Sequence, residues 1–330
     1  MTAERVLVTG GSGFIGTRLC HRLITTACRV RTLVRRPENA AHLARAGVEV
    51  VAGDVAAPES TRRATRDVDV VYHLAAVYRQ EALPAHVYRD VNVTGTENML
   101  KASLENGVQR FVHCSTVGVV GEPRQVPASE DAPYQLLDNA YQVSKVEGEK
   151  AAVRYIQDGR LAVAVARPSG TYGPGDMRFR KLFKAIQRGW FWMIGSGKVL
   201  YHPTYVDDVV DGLLLCGRRQ EAIGRVYNIA GAEYLTVKVL VALVAGVLGV
   251  RVPRRRVPAW PVHALGHACE LIFKPLGIEP PLYRRRVEFF MLNRAFDIRR
   301  AQTELGYSPA VDLKTGLRQA AEWYRANHYL

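Results

Sequence analysis

The sequence predicts an α/β protein: a doubly wound parallel sheet followed by a smaller mixed α/β lobe. Three observations predict it. Up to Gly173, short apolar segments alternate with longer amphipathic ones. A glycine-rich turn, Gly10-Gly11-Ser12-Gly13, joins the first apolar segment to the first helical one. Beyond Gly173 the alternation loosens, and prolines gather at Pro253, Pro258, Pro261, Pro275, Pro280 and Pro281. Strands that are apolar throughout and separated by helices suit a parallel sheet covered on both faces. Right-handed crossovers then wind that sheet in both directions.

Each element has its own reason. Val6-Leu7-Val8 is a short apolar run, expected as the first strand. Residues 14–27 are expected as a helix, because Phe14, Ile15, Leu19 and Leu23 return at near-helical spacing. Further strands are expected over 30–34, 48–51, 68–72, 108–113 and 161–166, the last two each after a helical stretch. In the C-terminal part, helices are expected over 206–216, 237–248 and 313–325. The length of 330 residues suits two domains at roughly 100–200 residues each. The division is placed at residues 1–173, a dinucleotide-binding Rossmann domain, and 174–330, a substrate-binding lobe, with chain exchange between them.

Composition narrows the function classes. With 48% hydrophobic residues the chain can build a large core, which excludes a disordered or collagen-like chain. The net charge is +14, and half of it arises between Arg251 and Arg300, where eleven basic residues face four acidic ones. Such a segment can attract nucleic acid, an anionic membrane or a phosphorylated ligand. No nucleic-acid-binding motif accompanies it, so no nucleic acid partner is expected. The longest strictly apolar run, residues 239–250, is too short for a bilayer span of about 20 residues. No secretory leader is expected, since Glu4 and Arg5 run straight into the first strand. Cys20, Cys28, Cys114, Cys216 and Cys269 are odd in number, lie far apart and form no C-x-x-C. Reduced thiols in a cytoplasmic protein fit that pattern.

Thr9-Gly10-Gly11-Ser12-Gly13-Phe14-Ile15-Gly16 follows the first strand and opens the first helix. Glycines there allow a tight turn and close approach of backbone to a pyrophosphate. The helix N-terminus adds N–H donors and partial positive charge. Both Gly11, Gly13, Gly16 and Gly10, Gly13, Gly16 have dinucleotide-binding spacing. The second strand ends Thr32-Leu33-Val34-Arg35-Arg36, with no acid. A carboxylate at that place would hold a ribose 2′-OH and repel a 2′-phosphate, whereas two guanidiniums can clamp the phosphate. NADP is therefore favoured, with NAD as the alternative. Asp54, in Gly53-Asp54-Val55, can accept from an adenine amino group or act as a turn residue.

Tyr141-Gln142-Val143-Ser144-Lys145 lies in a helical stretch, and the i, i+4 spacing sets phenol and ammonium on one face. A free phenol has a pKa near 10 and is a poor base at neutral pH; a nearby ammonium favours its phenolate. Such a tyrosine can protonate a carbonyl oxygen or deprotonate a carbinol as hydride moves. Ser115-Thr116 closes an expected strand at its carboxyl edge, where ligands of open α/β sheets bind, and a hydroxyl there can polarise the same oxygen. His73 and His113 are expected as packed or hydrogen-bonded core histidines. Asp207-Asp208 is expected as a helix N-terminal pair, not a metal site.

These motifs together resemble the extended short-chain dehydrogenase/reductase family, the NAD-dependent epimerase/dehydratase superfamily. The glycine turn is followed in order by His73-Leu74-Ala75-Ala76, Asn92-Val93-Thr94-Gly95-Thr96, Ser115-Thr116 and Tyr141 to Lys145. Arg167-Pro168-Ser169-Gly170-Thr171-Tyr172-Gly173-Pro174-Gly175 and Tyr205-Val206-Asp207-Asp208-Val209 complete the set. The resemblance covers essentially the whole chain. It implies Thr116, Tyr141 and Lys145 as a catalytic triad: Tyr141 as acid/base, Lys145 on the nicotinamide ribose, Thr116 orienting the reacting oxygen. The cofactor set becomes Gly10, Gly13, Phe14, Ile15, Gly16, Arg35, Asp54, Val55, Ala75, Ala76, Tyr141, Lys145, Pro168 and Ser169, with no metal. Ala75 and Ala76 would act by backbone, Pro168 and Ser169 beside the nicotinamide, and Asn92 as a tie between elements. The resemblance also implies a homodimer, paired through a four-helix bundle of residues 84–106 and 139–156.

The residues after Thr116 are Val117 and Gly118, where sugar-nucleotide 4,6-dehydratases carry Asp-Glu and the related decarboxylases a Glu. Both activities are disfavoured. One reading is a net oxidoreductase interconverting a secondary alcohol and a ketone on an apolar, steroid- or sterol-like substrate. It resembles the 3β-hydroxysteroid and sterol-4α-carboxylate dehydrogenases and dihydroflavonol reductases. The basic end of strand two supports it, as does Tyr201-His202-Pro203 where sugar-nucleotide enzymes carry Arg-Asp-Phe. The alternative is a nucleotide-sugar 4-epimerase with tightly bound NAD, its diphosphate held by Arg284, Arg285, Arg286 and Arg294. A nucleotide-sensing binding protein of the same fold is disfavoured, because both Tyr141 and Lys145 are present. Residues 259–286, apolar, Pro-bounded and ending in three arginines, are expected either to roof the substrate cavity or to touch an anionic membrane peripherally.

Overall fold

The computed structural model describes residues 3–78, 83–135, 139–273, 280–282 and 287–330. In chain order the first half carries β1 (Arg5–Thr9), α1 (Phe14–Thr25), β2 (Arg29–Val34), α2 (Ala41–Arg45), β3 (Glu49–Ala52) and α3 (Pro58–Thr65). It continues with β4 (Val70–His73), α4 (Ala85–Arg89), α5 (Gly95–Glu105), β5 (Arg110–Cys114), α6 (Ala140–Asp158) and β6 (Val163–Pro168). The rest carries β7 (Gly170–Tyr172), α7 (Arg180–Gln187), β8 (Met193–Ile194), β9 (Leu200–Tyr201), β10 (Pro203–Tyr205), α8 (Val206–Arg218) and β11 (Val226–Ile229). Then come β12 (Leu235–Thr236), α9 (Val237–Leu248), β13 (Arg256–Val257), α10 (Ala259–Phe273), and helices Arg299–Leu305 and Leu313–Ala326.

The main sheet is parallel throughout, in the order β11-β6-β5-β4-β1-β2-β3. Strand alternation feeds two cores. Val6 and Val8 pack with Leu19 and Leu23 of α1 and with Val209 and Leu213 of α8. Leu7, between them, faces the other way and packs with Met99 of α5 and Ala151 of α6. The doubly wound fold is therefore present, with helices on both faces. The strand order reverses between β1 and β4, which opens a crevice at their carboxyl ends.

The later residues divide their loyalties. α8 covers the main sheet and β11 extends it beside β6. α7, α9 and Leu313–Ala326 build a separate core around Phe183, Val241, Val244, Leu317 and Tyr324. α9 has the expected bounds at both ends. Thr236 caps it by accepting from the Val239 amide, and Gly249 closes it at φ +73°. Residues 84–106 are interrupted: a π-helical turn over Asp90–Thr94 separates α4 from α5 and carries Asn92. Among the described residues, no helix is long and apolar enough to cross a membrane.

Candidate active site

The glycine turn sits at the carboxyl end of β1. Gly10 has φ +73°, and a Cβ there would stand 2.8 Å from the Ala75 amide nitrogen. A Cβ on Gly16 would strike the Gly10 carbonyl oxygen. The turn thus brings bare backbone against the segment after β4 and against the start of α1. That segment is pinned in turn. Thr9 Oγ1 accepts from the Ala75 amide at 3.1 Å and meets His73 Nδ1 at 2.8 Å, while His73 Nε2 meets Thr96 Oγ1 at 3.0 Å. His73 is therefore a hydrogen-bonded core residue. His113 stacks on it with centroids 5.7 Å apart, and neither of its ring nitrogens has a hydrogen-bond partner among the described residues.

A cleft of about 240 Å³ opens beside the turn, at the switch point. Gly10, Ser12 and Gly13 line it from the turn, and Ala75 and Ala76 from the segment after β4. Arg35, Asp54 and Val55 line the far end. A glycine turn at a helix N-terminus and Arg35 on the same cleft fit a dinucleotide. Arg35 and Arg36 are both exposed there. Asp54 accepts from the Ala56 amide at 2.9 Å, so one carboxylate oxygen serves the turn. Phe14 and Ile15 do not line this cleft. Phe14 lies under the Arg178 guanidinium at 5.6 Å, and Ile15 packs into the cores.

α6 begins at the Asn139 cap, whose side chain accepts from the Gln142 amide at 2.8 Å. One turn of helix then sets Tyr141 and Lys145 on the same face, at 7% and 4% exposure. The Lys145 ammonium donates to the Cys114 carbonyl at 2.9 Å, which ties it to the end of β5 directly before Ser115-Thr116. Burial pushes the Lys145 ammonium below its ordinary pKa, opposed by Cys114 and Glu149. Thr116 Oγ1 accepts from the Gly118 amide at 3.1 Å. Asn92 Oδ1 accepts from the Val77 amide at 2.8 Å. Its Nδ2 donates to the Val77 carbonyl at 3.1 Å and to Ser144 Oγ at 2.9 Å. Asn92 thus ties α6 to the cleft wall. Pro168 and Ser169 are buried at the end of β6, where Ser169 donates to the His202 carbonyl.

Three residues enter the site that sequence reasoning did not mark. Glu149 lies one turn beyond Lys145 and receives Ser115 Oγ, the Tyr134 hydroxyl at 2.9 Å and the Arg167 guanidinium at 2.6 Å. Its i+4 spacing from Lys145 was a legible signal. Tyr78 packs edge-on against Tyr141 with centroids 5.2 Å apart, and Arg178 lies 5.2 Å from the Tyr78 ring. Arg178 is steadied by Asp176 Oδ1 at 2.6 Å and by the Thr171 carbonyl at 2.6 Å. No local pattern signals either residue, since only the fold brings 78, 141 and 178 together. Arg284, Arg285 and Arg286 lie outside the described residues. Asp207 and Asp208 occupy the first turn of α8, where Asp208 accepts from the Ala310 amide at 2.8 Å.

Known proteins share this architecture. A model of the NAD dependent epimerase/dehydratase family matches residues 6–230. A 3-beta-hydroxysteroid dehydrogenase from Mycolicibacterium neoaurum is 30% identical over 341 residues, spanning 97% of this chain and 91% of its own. Among solved structures, gox2253 is similar with a TM-score of 0.83 and 27% identity over 99% of both chains. MoeE5, in complex with UDP-glucose and NAD, is similar with a TM-score of 0.76 and 27% identity over 98% of this chain and 99% of its own.

Proposed function

The chain belongs to the NAD-dependent epimerase/dehydratase family, and from that premise we propose that Tyr141, Lys145 and Thr116 interconvert a secondary alcohol and a ketone. It is an NAD(P)-dependent enzyme of the oxidoreductase/epimerase type, acting on a small organic substrate. A bound nicotinamide supplies the two-electron acceptor or donor for the carbinol carbon. The observation that carries the proposal is the Lys145–Cys114 contact. It anchors the ammonium beside Thr116 on the helical face that also bears Tyr141.

The protein's own part is proton chemistry and orientation. Tyr141 takes the hydroxyl proton as the carbinol becomes a ketone and returns it in the reverse direction. Lys145 favours the phenolate that this requires, being a cation one helical turn away. Thr116 already accepts from Gly118, which leaves its hydroxyl hydrogen to donate to the reacting oxygen. Ala75, Ala76, Pro168 and Ser169 hold the cofactor by backbone and packing. Gly10, Gly13, Phe14, Ile15 and Gly16 shape the pyrophosphate turn. Arg35 and Arg36 favour a 2′-phosphate, whereas MoeE5 carries NAD. In this reading residues 1–173 hold the cofactor and 174–330 the substrate. Two copies pair through α5 and α6, in the cytoplasm.

Of the two substrate classes, a nucleotide sugar is the better supported. MoeE5 is a full-length relative holding UDP-glucose and NAD, and Arg178 sets a guanidinium one ring away from Tyr141. Epimerisation at a sugar carbon follows, with no net change in cofactor. The second reading, a steroid-like secondary alcohol, has its own support. The 30% identical relative is named a hydroxysteroid dehydrogenase. Tyr201, at the position where an arginine would meet a diphosphate, is buried and packs against the Phe179 and Phe289 rings. The two are separated by offering the purified enzyme UDP-glucose and a 3β-hydroxysteroid in turn. Sugar epimer without accumulation of reduced nicotinamide supports the first. Ketone and reduced nicotinamide in equal amounts support the second. Neither product, from enzyme loaded with cofactor, rejects both.

A further inference from the structure

α10 presents the wrong face to solvent for an ordinary surface helix. Its outward side chains include Trp260, Leu265, Leu271 and Ile272, at 76%, 58%, 63% and 59% exposure, while its one acid, Glu270, is buried. Each of those apolar groups forgoes the stabilisation that burial would bring, and a contiguous stripe of them marks a contact surface.

Two more tryptophans extend the stripe. β13 runs into α10 and pairs in parallel with β8, just after Trp190-Phe191-Trp192. Phe191 is buried, so its neighbours point outward together, and Trp190 and Trp192 are 67% and 47% exposed. Each carries an arginine: Arg188 stands 5.1 Å from the Trp190 ring and Arg255 stands 5.4 Å from the Trp192 ring. Ala259, at the start of α10, lies against Gly195 at the end of the same pair of strands. Arg251, Arg254 and Arg256 are exposed on the segment leading in, and no carboxylate occurs from Tyr234 to Cys269.

We propose that this flank docks the protein on an anionic lipid bilayer. The outer face of α10, with Trp190 and Trp192, enters the headgroup layer, and the arginines meet lipid phosphates. The chemistry matches on both counts. Indoles favour the boundary between water and hydrocarbon, and guanidiniums stacked on them are held at phosphate depth. A second copy of the chain fits poorly, because a two-fold pairing would set this arginine cluster against itself with no exposed acid among the described residues of the patch. A nucleic acid would leave Leu265, Leu271 and Ile272 exposed. The inference is independent of which substrate the active site takes.

The test is sedimentation of the full chain with vesicles of phosphatidylcholine, with and without phosphatidylglycerol, at low and high salt. Partition onto the phosphatidylglycerol vesicles at low salt, weakened several-fold by high salt, is expected. Trp190→Ser combined with Trp260→Ser lowers the partition by about tenfold. Arg254→Gln combined with Arg255→Gln does the same by removing charge, again by roughly tenfold. If the tryptophan variant melts early, the arginine variant decides. No binding to phosphatidylglycerol vesicles at low salt overturns the proposal. So does equal, salt-insensitive binding to both vesicle types, or variants that bind like the parent. Dimerisation without vesicles that disappears in the tryptophan variant assigns the face to a second copy and overturns it too.

Discussion

Glu149 and Arg167 form an ion pair at 2.6 Å with both side chains buried. The pair joins α6 to β6 directly behind the Tyr141–Lys145 face, and Glu149 also holds Ser115 and Tyr134. Replacing Glu149 with Leu leaves the Arg167 charge buried and uncompensated. Breaking a buried pair in that way costs about 3–5 kcal/mol. Chemical denaturation should show a loss of that order, with Glu149→Gln losing less because the amide still accepts. A Glu149→Leu midpoint equal to that of the parent would show that the pair contributes nothing.

A second prediction concerns acid. Burial, reinforced by the Lys145 charge, pushes the His73 imidazole down to about 3 and the His113 imidazole well below its ordinary value. Both folded-state values lie below the unfolded value of about 6.5, so the unfolded chain binds the protons first. The associated stability is complete above about pH 6.5 and is lost as pH falls below it, for His73 down to about pH 3, at up to roughly 1.4 kcal/mol per pH unit for a single group. His113→Phe keeps the ring volume and removes one of the two titrations. Between pH 7 and 5 its unfolding free energy should fall measurably less than that of the parent. Parallel pH curves for the two proteins would contradict this.

Cofactor preference gives a third. Arg35→Asp replaces a partner for a 2′-phosphate by a group that repels it and can accept from a 2′-OH. Preference should move from NADP toward NAD in fluorescence titrations of both. A parent protein that already binds NAD as well as NADP removes the role assigned to Arg35.

Arg178 gives a fourth. Arg178→Lys keeps a cation opposite the buried Asp176 but loses the planar fork. An anionic substrate should show KM raised by about tenfold, with kcat little changed, whereas a neutral alcohol should show no change. Equal effects on both would make Arg178 a packing residue only.

The parts of the fold visible in the sequence are those set by local chemistry. The core strands are apolar on both faces and so appear as short unbroken runs. α9 was bounded correctly because Thr236 and Gly249 are strong local stop signals. β11 was missed because Val226-Tyr227-Asn228-Ile229 is short and gains its identity only by pairing with β6 across sixty residues of chain or so. α10 carries no helical expectation, because residues 259–286 read only as an apolar, Pro-bounded stretch. Pro258 precedes it and Pro261 falls in its first turn, where no amide donor is needed. The site divides in the same way. Tyr141, Lys145 and the glycine turn are sequence-local patterns, whereas Tyr78 and Arg178 meet Tyr141 only through tertiary folding.

The most direct measurement is single-turnover kinetics of Tyr141→Phe with cofactor affinity determined alongside. The phenyl ring keeps the contacts with Tyr78 and Tyr88, and only the proton-transferring hydroxyl is lost. Turnover should drop by about 10²–10⁴-fold while the cofactor Kd stays within a few-fold of the parent. A variant that keeps more than about half of the parent's rate in a chemistry-limited assay would contradict the assignment of Tyr141 as the acid/base.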